Sequence, residues 1–135
     1  MSAFTAVLLY AAWTLLLPIS YSVIRVPLIA SGRKKADSWE RGKTVDDAPF
    51  LMRAKNAHLN CTENFPVFAA IVVVAALLGK IAVADAVAAY VLLARVAQSV
   101  SHMLGTSLAL VALRGFFYFA QVILMFWMIW KLLYG

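Results

Sequence analysis

The chain has 135 residues, of which 64% are hydrophobic and 13% charged, and its mean hydropathy is +0.88. These values exclude a soluble globular protein and predict one membrane-embedded domain over residues 1–135. The net charge is +6, but seven of the twelve Lys and Arg residues fall between Ser31 and Ala57, in a segment that also holds four acids. This clustering is typical of a basic loop between membrane spans and argues against nucleic-acid binding.

Four apolar segments predict an all-α integral membrane protein, a bundle of four transmembrane helices. The first helix is predicted from about Phe4 to Ala30, with Pro18 and Pro27 inside it. A membrane helix tolerates such prolines because neighbouring groups satisfy the freed carbonyls. The first apolar segment is too long, and too poor in N-terminal basic residues, for a cleaved signal peptide. We therefore expect it to be a retained helix.

The second helix is predicted from about Pro49 to Leu78. Ser31-Gly32 ends the first helix, and a polar connection of some twenty residues follows. Asp46, Asp47 and Pro49 are residue types that favour the start of a helix. The connection therefore ends at a predicted helix start.

The third and fourth helices are predicted to follow short turns. Gly79 to Asp85 is the first turn, and Asp85 is the expected N-cap of a helix from Ala86 to Leu104. Ser107 is the expected N-cap of the fourth helix, which runs from about Leu108 to Leu133.

Four spans place both chain termini on one side of the membrane. The basic first loop is predicted to be cytoplasmic, because the Gly79–Asp85 loop on the other side carries only Lys80. Trp127, Trp130 and Tyr134 then form an expected aromatic belt at the far interface. Alanine-rich helices favour a bacterial inner membrane over the endoplasmic reticulum.

Three stripes of polar side chains interrupt the apolar helices. Within each stripe the spacing is three or four residues, so its members share one helix face. The stripes are Asn56–Asn60–Glu63, Arg95–Gln98–His102 and Arg114–Tyr118–Gln121. An ionisable group in hydrocarbon costs roughly 3 kcal/mol or more unless it faces protein or water. We therefore predict that the stripes converge on one buried polar site in the cytoplasmic half of the membrane.

The charges of this predicted site favour an anionic ligand. Arg25, Arg95 and Arg114 outnumber the single carboxylate of Glu63, and buried guanidinium groups need anionic or carbonyl partners. The excess of positive charge favours binding of a carboxylate or phosphate through two hydrogen bonds. The alternative is that the arginines pair with Glu63 and backbone carbonyls and only lock the bundle.

Tyr118 lies one turn beyond Arg114 on the predicted fourth helix. A guanidinium favours ionised neighbours, so a thiol or hydroxyl docked beside Arg114 would have a lowered pKa. A tyrosine hydroxyl bonded within the bundle is the competing interpretation.

The sequence does not favour a metal site. His58 and His102 lie on different predicted helices, and Cys61 near His58 does not complete a set of three or four ligands. Cys61 is the single cysteine, which excludes an intrachain disulfide, and it is interpreted as a packing residue.

The segment from Arg53 to Phe68 resembles the signature of the MAPEG family, the membrane-associated proteins in eicosanoid and glutathione metabolism. The resemblance extends over essentially the whole chain, including its length, four spans and basic first loop. The matching residues are Ala57-His58, Asn60, Glu63 and Phe65-Pro66, then Ala94-Arg95-Val96-Ala97, and Arg114 with Tyr118.

The resemblance implies a homotrimer that binds glutathione between neighbouring subunits near the cytoplasmic face. It also implies that lipophilic substrates approach from the bilayer, where membrane lipids surround the protein. The expected activity is a glutathione-dependent transferase or peroxidase that acts on lipophilic electrophiles or lipid hydroperoxides, with Arg114 stabilising the glutathione thiolate. The other expected ligand-binding residues are Arg33, Asn60, Glu63, Arg95, His102 and Tyr118.

Three departures from the family pattern favour alternatives. The chain has Asn56 where glutathione enzymes carry arginine, Gln98 where they carry tyrosine or histidine, and His102 where they carry tyrosine. These changes favour a non-catalytic lipid-binding or scaffold protein of the same fold. A proton-coupled transporter with Glu63 as the exchanging carboxylate is a third class, which the three nearby arginines disfavour.

Overall fold

The computed structural model describes residues 1–43 and 47–135, and it contains four long helices. They are α1 (Ala3–Ala30), α2 (Pro49–Leu77), α3 (Ile81–Leu104) and α4 (Leu108–Tyr134). Each is long and apolar enough to cross a bilayer. The prediction of an all-α, integral, multi-pass membrane protein with four spans is thereby confirmed.

The four helices do not pack equally. α3 packs extensively against α4 and α2, and α1 packs against α2 and α3, whereas α2 and α4 touch little. Small residues at the centre of the bundle, among them Ala57, Ala75, Ala84 and Ala88, let the helix backbones approach closely. Between α2 and α4, where contacts are few, side chains of both helices line surface grooves.

Two predicted helix starts are confirmed. The Ser107 hydroxyl accepts a hydrogen bond from the Leu110 amide at 3.3 Å and caps α4. Pro49 occupies the first turn of α2, where its missing N–H has no intrahelical partner to lose. α1 continues through Pro18 and Pro27 as expected.

The predicted start of the third helix is wrong. α3 begins at Ile81, and its N-cap residue Lys80 makes no side-chain cap bond. Gly79 has a φ of +67°, which turns the chain sharply and makes the long Gly79–Asp85 turn unnecessary. Asp85 lies inside α3, and its carboxylate accepts from the Ala3 amide at 2.6 Å. It therefore satisfies a free amide at the start of α1.

Asp47 also has a different role from the one predicted. Ala48, with no side-chain cap bond, precedes α2, whereas Asp47 forms an ion pair with Arg25 at 2.9 Å. Trp39 Nε1 donates to both oxygens of the same carboxylate at 3.0 Å. The loop is thus fastened to α1. Asp46, the other predicted start residue, lies outside the described residues.

Candidate functional site

A polar pocket lies between α2, α3 and α4, and each of the three predicted stripes contributes to it. Its volume is about 270 Å³. The lining residues are Asn60, Gln98, His102, Val111, Arg114, Gly115 and Tyr118. None of them carries a carboxylate, and Arg114 brings a full positive charge. The pocket is therefore suited electrostatically to an anion.

Asn60 and His102 connect α2 to α3 across the pocket. Asn60 Nδ2 lies 3.3 Å from His102 Nδ1. An amide NH₂ group only donates, so Nδ1 of the imidazole accepts and the neutral ring carries its proton on Nε2. His102 is thereby left with a hydrogen-bond donor on its other side.

Gln98 and Gln121 connect α3 to α4 behind the pocket. Gln121 is fully buried, and its Nε2 donates at 2.9 Å both to Gln98 Oε1 and to the Phe117 carbonyl. Gln98 is 6% exposed and lines the pocket. Of the predicted stripe on α4, Gln121 therefore supports the pocket wall, whereas Arg114 and Tyr118 form it.

Arg114 and Tyr118 have free polar groups. Arg114 is half-buried and Tyr118 is 40% exposed. Within residues 1–43 and 47–135, neither side chain makes an ion pair or a hydrogen bond. The interpretation of Tyr118 as a tyrosine bonded within the bundle therefore has no support inside the chain, and both groups are available to a ligand.

Arg95 is not among the lining residues of the pocket. Its side chain is completely buried, with its guanidinium carbon 5.7 Å from the centre of the Tyr10 ring. In the described part of the chain, no acceptor bonds to any of its three side-chain nitrogens. Cys61 and Ser99 are also buried, with their side chains 3.4 Å apart. The predicted role of Arg95 in ligand binding stays a prediction.

Glu63, Arg33 and Asn56 are exposed on the surface of the chain. Glu63 forms no ion pair with any of the residues that the structure describes. The prediction that all the polar residues converge on one buried site is therefore wrong for a single chain. Helical spacing fixes which residues share a face, but it does not fix the direction in which that face packs.

The three arginines that the sequence assigned to the site have separate environments. Arg25 is held by Asp47 and lies between two aromatic rings, with its guanidinium carbon 4.7 Å from the Tyr21 centroid and 4.9 Å from that of Trp39. This cluster was not predicted from the sequence, because Asp47 has the residue type and position of a helix start. A basic residue close to the end of a helix, followed by Trp and Asp in the next loop, was the available signal.

The histidines and the cysteine engage local partners. His58 Nδ1 lies 2.8 Å from the Tyr21 hydroxyl, and Cys61 is buried beside Ser99. Among the described residues, no three His, Cys, Asp or Glu side chains are grouped as metal ligands.

Comparison with known proteins identifies the family. The MAPEG family profile matches residues 3–134, which include all four helices. No curated protein matches the chain. The family match confirms the resemblance found between Arg53 and Phe68. The chain therefore belongs to the MAPEG family, the membrane-associated proteins in eicosanoid and glutathione metabolism.

Proposed function

We propose that the protein is a glutathione-dependent transferase or peroxidase that acts on lipophilic electrophiles or lipid hydroperoxides. The observation that carries the proposal is Arg114, an unpaired cation in a pocket whose lining has no acidic residue. Membership of the MAPEG family supports glutathione as the co-substrate.

The polar pocket matches the chemistry of glutathione. Glutathione is an anionic tripeptide with two carboxylates, two peptide groups and a thiol. Asn60 and Gln98 offer amides that pair with peptide groups, and Arg114 offers a guanidinium that pairs with a carboxylate or thiolate. We place the thiol end beside Arg114 because Tyr118, one turn further along α4, then provides a hydroxyl next to the reacting sulfur.

The exposed residues fit a site that neighbouring subunits complete. Glu63 and Arg33 are charged and exposed, and Glu63 lies within a membrane-spanning helix. A charge on the outer face of such a helix is costly unless a partner covers it. We propose that in a homotrimer these two side chains face the glutathione bound by the neighbouring subunit. Arg95 would support the wall of the pocket from within.

In the transferase reaction, the Arg114 charge lowers the pKa of the glutathione thiol so that the thiolate forms near neutral pH. The thiolate attacks an electrophilic carbon, and a sulfur–carbon bond forms. A leaving group departs with its electron pair. In an addition, the electron pair moves instead to an oxygen that then takes up a proton.

In the peroxidase reaction, the same thiolate attacks an oxygen of a lipid hydroperoxide. The oxygen–oxygen bond breaks, the alkoxide leaves and takes up a proton, and the sulfenic acid of glutathione forms. A second glutathione converts this product to glutathione disulfide and water. The lipid is reduced to an alcohol, and the two thiols are oxidised.

The proposal is tested by turnover of an aryl halide and of a fatty acid hydroperoxide, with Arg114→Ala and Arg114→Lys. We expect Arg114→Ala to lower kcat about 100-fold, while glutathione affinity falls much less. Its pH–rate profile shifts to higher pH, toward the ordinary thiol pKa of about 8.5, because the cation that favoured the thiolate is gone. Arg114→Lys retains part of the activity.

Arg41→Ala removes an exposed arginine of the loop and is the matched control. It leaves both kcat and the pH profile unchanged. Full turnover by Arg114→Ala would contradict the mechanism.

A second candidate is a non-catalytic lipid-binding or scaffold protein of the same fold. One observation favours it: position 56, where glutathione enzymes carry arginine, holds the neutral Asn56, which is exposed and outside the pocket. This candidate predicts that purified protein retains bound lipid and shows no turnover with either substrate class.

A further inference from the structure

We infer that Gln121 is a positioning residue for the polar pocket, which fixes the Gln98 amide so that its NH₂ group donates to the bound anion. This inference rests on the proposed function, because the anion is glutathione. It concerns a second layer of side chains behind the pocket wall.

The orientation of Gln121 follows from the backbone of α4. Gln121 Nε2 lies 2.9 Å from the Phe117 carbonyl oxygen, one turn earlier on the same helix. A carbonyl oxygen only accepts, so the atom of Gln121 that faces it must be the NH₂ group. The second hydrogen of this group is then directed to Gln98 at 2.9 Å.

The orientation of Gln98 follows in turn from that of Gln121. Because Gln121 donates, the atom of Gln98 that it meets must be the carbonyl oxygen Oε1. The NH₂ group of Gln98 is therefore left for the pocket that this residue lines. Rotation of the Gln98 amide by half a turn would place two NH₂ groups against each other and lose the bond.

Burial fixes the amide orientations of Gln98 and Gln121. Gln121 has no exposed surface and Gln98 is 6% exposed, so water does not compensate for a broken bond. Gln121 Oε1 has no hydrogen-bond partner in the described part of the chain. A buried amide with an unbonded oxygen is costly compared with an apolar residue of the same size. Its presence therefore argues for a role beyond packing.

The pocket offers hydrogen-bond donors from several sides, and His102 is one of them. Asn60 donates to His102 Nδ1, which leaves Nε2–H as a donor, and Arg114 has only donors. Gln98 adds an oriented NH₂ group to this set. The pocket consequently selects a group that accepts several hydrogen bonds at once, namely a carboxylate or a thiolate.

Coupling to Gln121 allows glutamine to serve at position 98, where glutathione enzymes carry tyrosine or histidine. Glutamine has no ring nitrogen or hydroxyl, and a free glutamine side chain presents its oxygen or its nitrogen with similar ease. Coupled to Gln121, Gln98 becomes a fixed donor. The pair Gln98–Gln121 thus supplies the hydrogen bond that Gln98 alone would supply only part of the time.

The experiment measures glutathione binding and steady-state kinetics for the wild type, Gln98→Met, Gln121→Met and the double variant. Methionine keeps the length of the side chain and removes the amide. We expect Gln98→Met to weaken glutathione binding and raise KM about tenfold, since a hydrogen bond to a charged group is lost. Gln121→Met has a smaller effect, about twofold, since the released Gln98 amide still donates about half of the time. The value of kcat at saturating glutathione stays within about twofold, because Arg114 is untouched.

The double variant separates positioning from independent binding. If Gln121 acts through Gln98, the double variant is no weaker than Gln98→Met alone. Met125→Ala, one turn further along α4 and also buried, is the control for lost packing. It lowers the melting temperature without changing KM.

Three results would overturn the inference, and they distinguish a failure of the positioning role from a failure of the proposed function. Wild-type affinity in Gln121→Met, or fully additive losses in the double variant, would overturn the positioning role while the proposed function stands. Absence of glutathione binding by the wild type would overturn the proposed function and the inference together.

Discussion

Two cationic regions at the same end of the bundle differ in how their charge is compensated. Arg25 of α1 is compensated within the chain: its guanidinium pairs with Asp47 and lies between the rings of Tyr21 and Trp39. Arg114 of α4 has no carboxylate beside it among the described residues and lines an open pocket. The first region fastens the loop to the bundle, and the second is available to a ligand.

Arg95 shows that burial alone does not distinguish the two kinds of region. It is more deeply buried than Arg25, whose side chain is 13% exposed, yet its nitrogens have no hydrogen-bond partner in the described chain. Arg95 therefore differs from both: like Arg114 it has no acceptor in the described chain, but unlike Arg114 it does not line the pocket. The following changes test that distinction.

The largest effect is expected from Asp47→Ala. This change leaves the Arg25 cation nearly buried without its partner, and breaking such a pair costs about 3–5 kcal/mol of the free energy of unfolding. Asp37→Ala, which removes an exposed carboxylate of the same loop, is the matched control and has little effect. Unfolding by SDS titration measures both. Equal stability of the two variants would contradict the conclusion that the pair of Arg25 and Asp47 stabilises the bundle.

Arg95→Met, unlike Asp47→Ala, is expected to raise the free energy of unfolding. Removing an unbonded buried cation and filling its volume with an apolar side chain raises the free energy of unfolding by about 1–3 kcal/mol. Arg25→Met, in contrast, strands Asp47 and lowers it. The two variants are compared by the same SDS titration, and a loss of stability in both would contradict the distinction between the two arginines.

A smaller loss is expected from Asp85→Ala. Its carboxylate accepts from the Ala3 amide, so the variant leaves a helix-end donor of α1 without a partner. The expected loss is about 1 kcal/mol of the free energy of unfolding, typical of a lost cap. Asp85→Asn, which keeps an acceptor oxygen, recovers most of it. An unchanged unfolding curve for Asp85→Ala would show that the contact contributes nothing.

The smallest effect concerns the exposed ion pair of the loop. Lys43 Nζ lies 2.6 Å from Asp37 Oδ2, and this bond lowers the pKa of Asp37 and raises that of Lys43. The pair stabilises the loop above the ordinary carboxyl pKa of about 3.9, and its contribution is lost as the pH falls through the lowered value. Solvent screening keeps the effect small. Lys43→Ala should therefore barely change the melting temperature at pH 7, and this small difference from the wild type should disappear at high salt.

The sequence predicted the four spans well because each helix is a long apolar segment, and length and hydropathy suffice to place it in a bilayer. Ser107 was also predictable, since its cap is a local hydrogen bond. Asp85 was mispredicted because its partner, Ala3, lies 82 residues away. No pattern within a segment carries that information.

The site was predicted only in part for the same reason, because contacts between helices cannot be read from one segment of the sequence. Helical spacing placed Asn60, His102, Arg114 and Tyr118 on faces that meet in the pocket. It did not reveal that Glu63 faces outward or that Arg95 lies under Tyr10, because those outcomes depend on how the helices rotate against one another. The orientation of Gln98 likewise follows from a contact between two helices.

The most direct test of the account is proton release on glutathione binding, measured by calorimetry at pH 7 in buffers of different ionisation enthalpy. If Arg114 stabilises the thiolate, saturable binding by the wild type releases a proton from the thiol, and Arg114→Ala releases little or none. Binding without proton release, or equal release by the two proteins, would contradict the assignment of Arg114 to the thiolate.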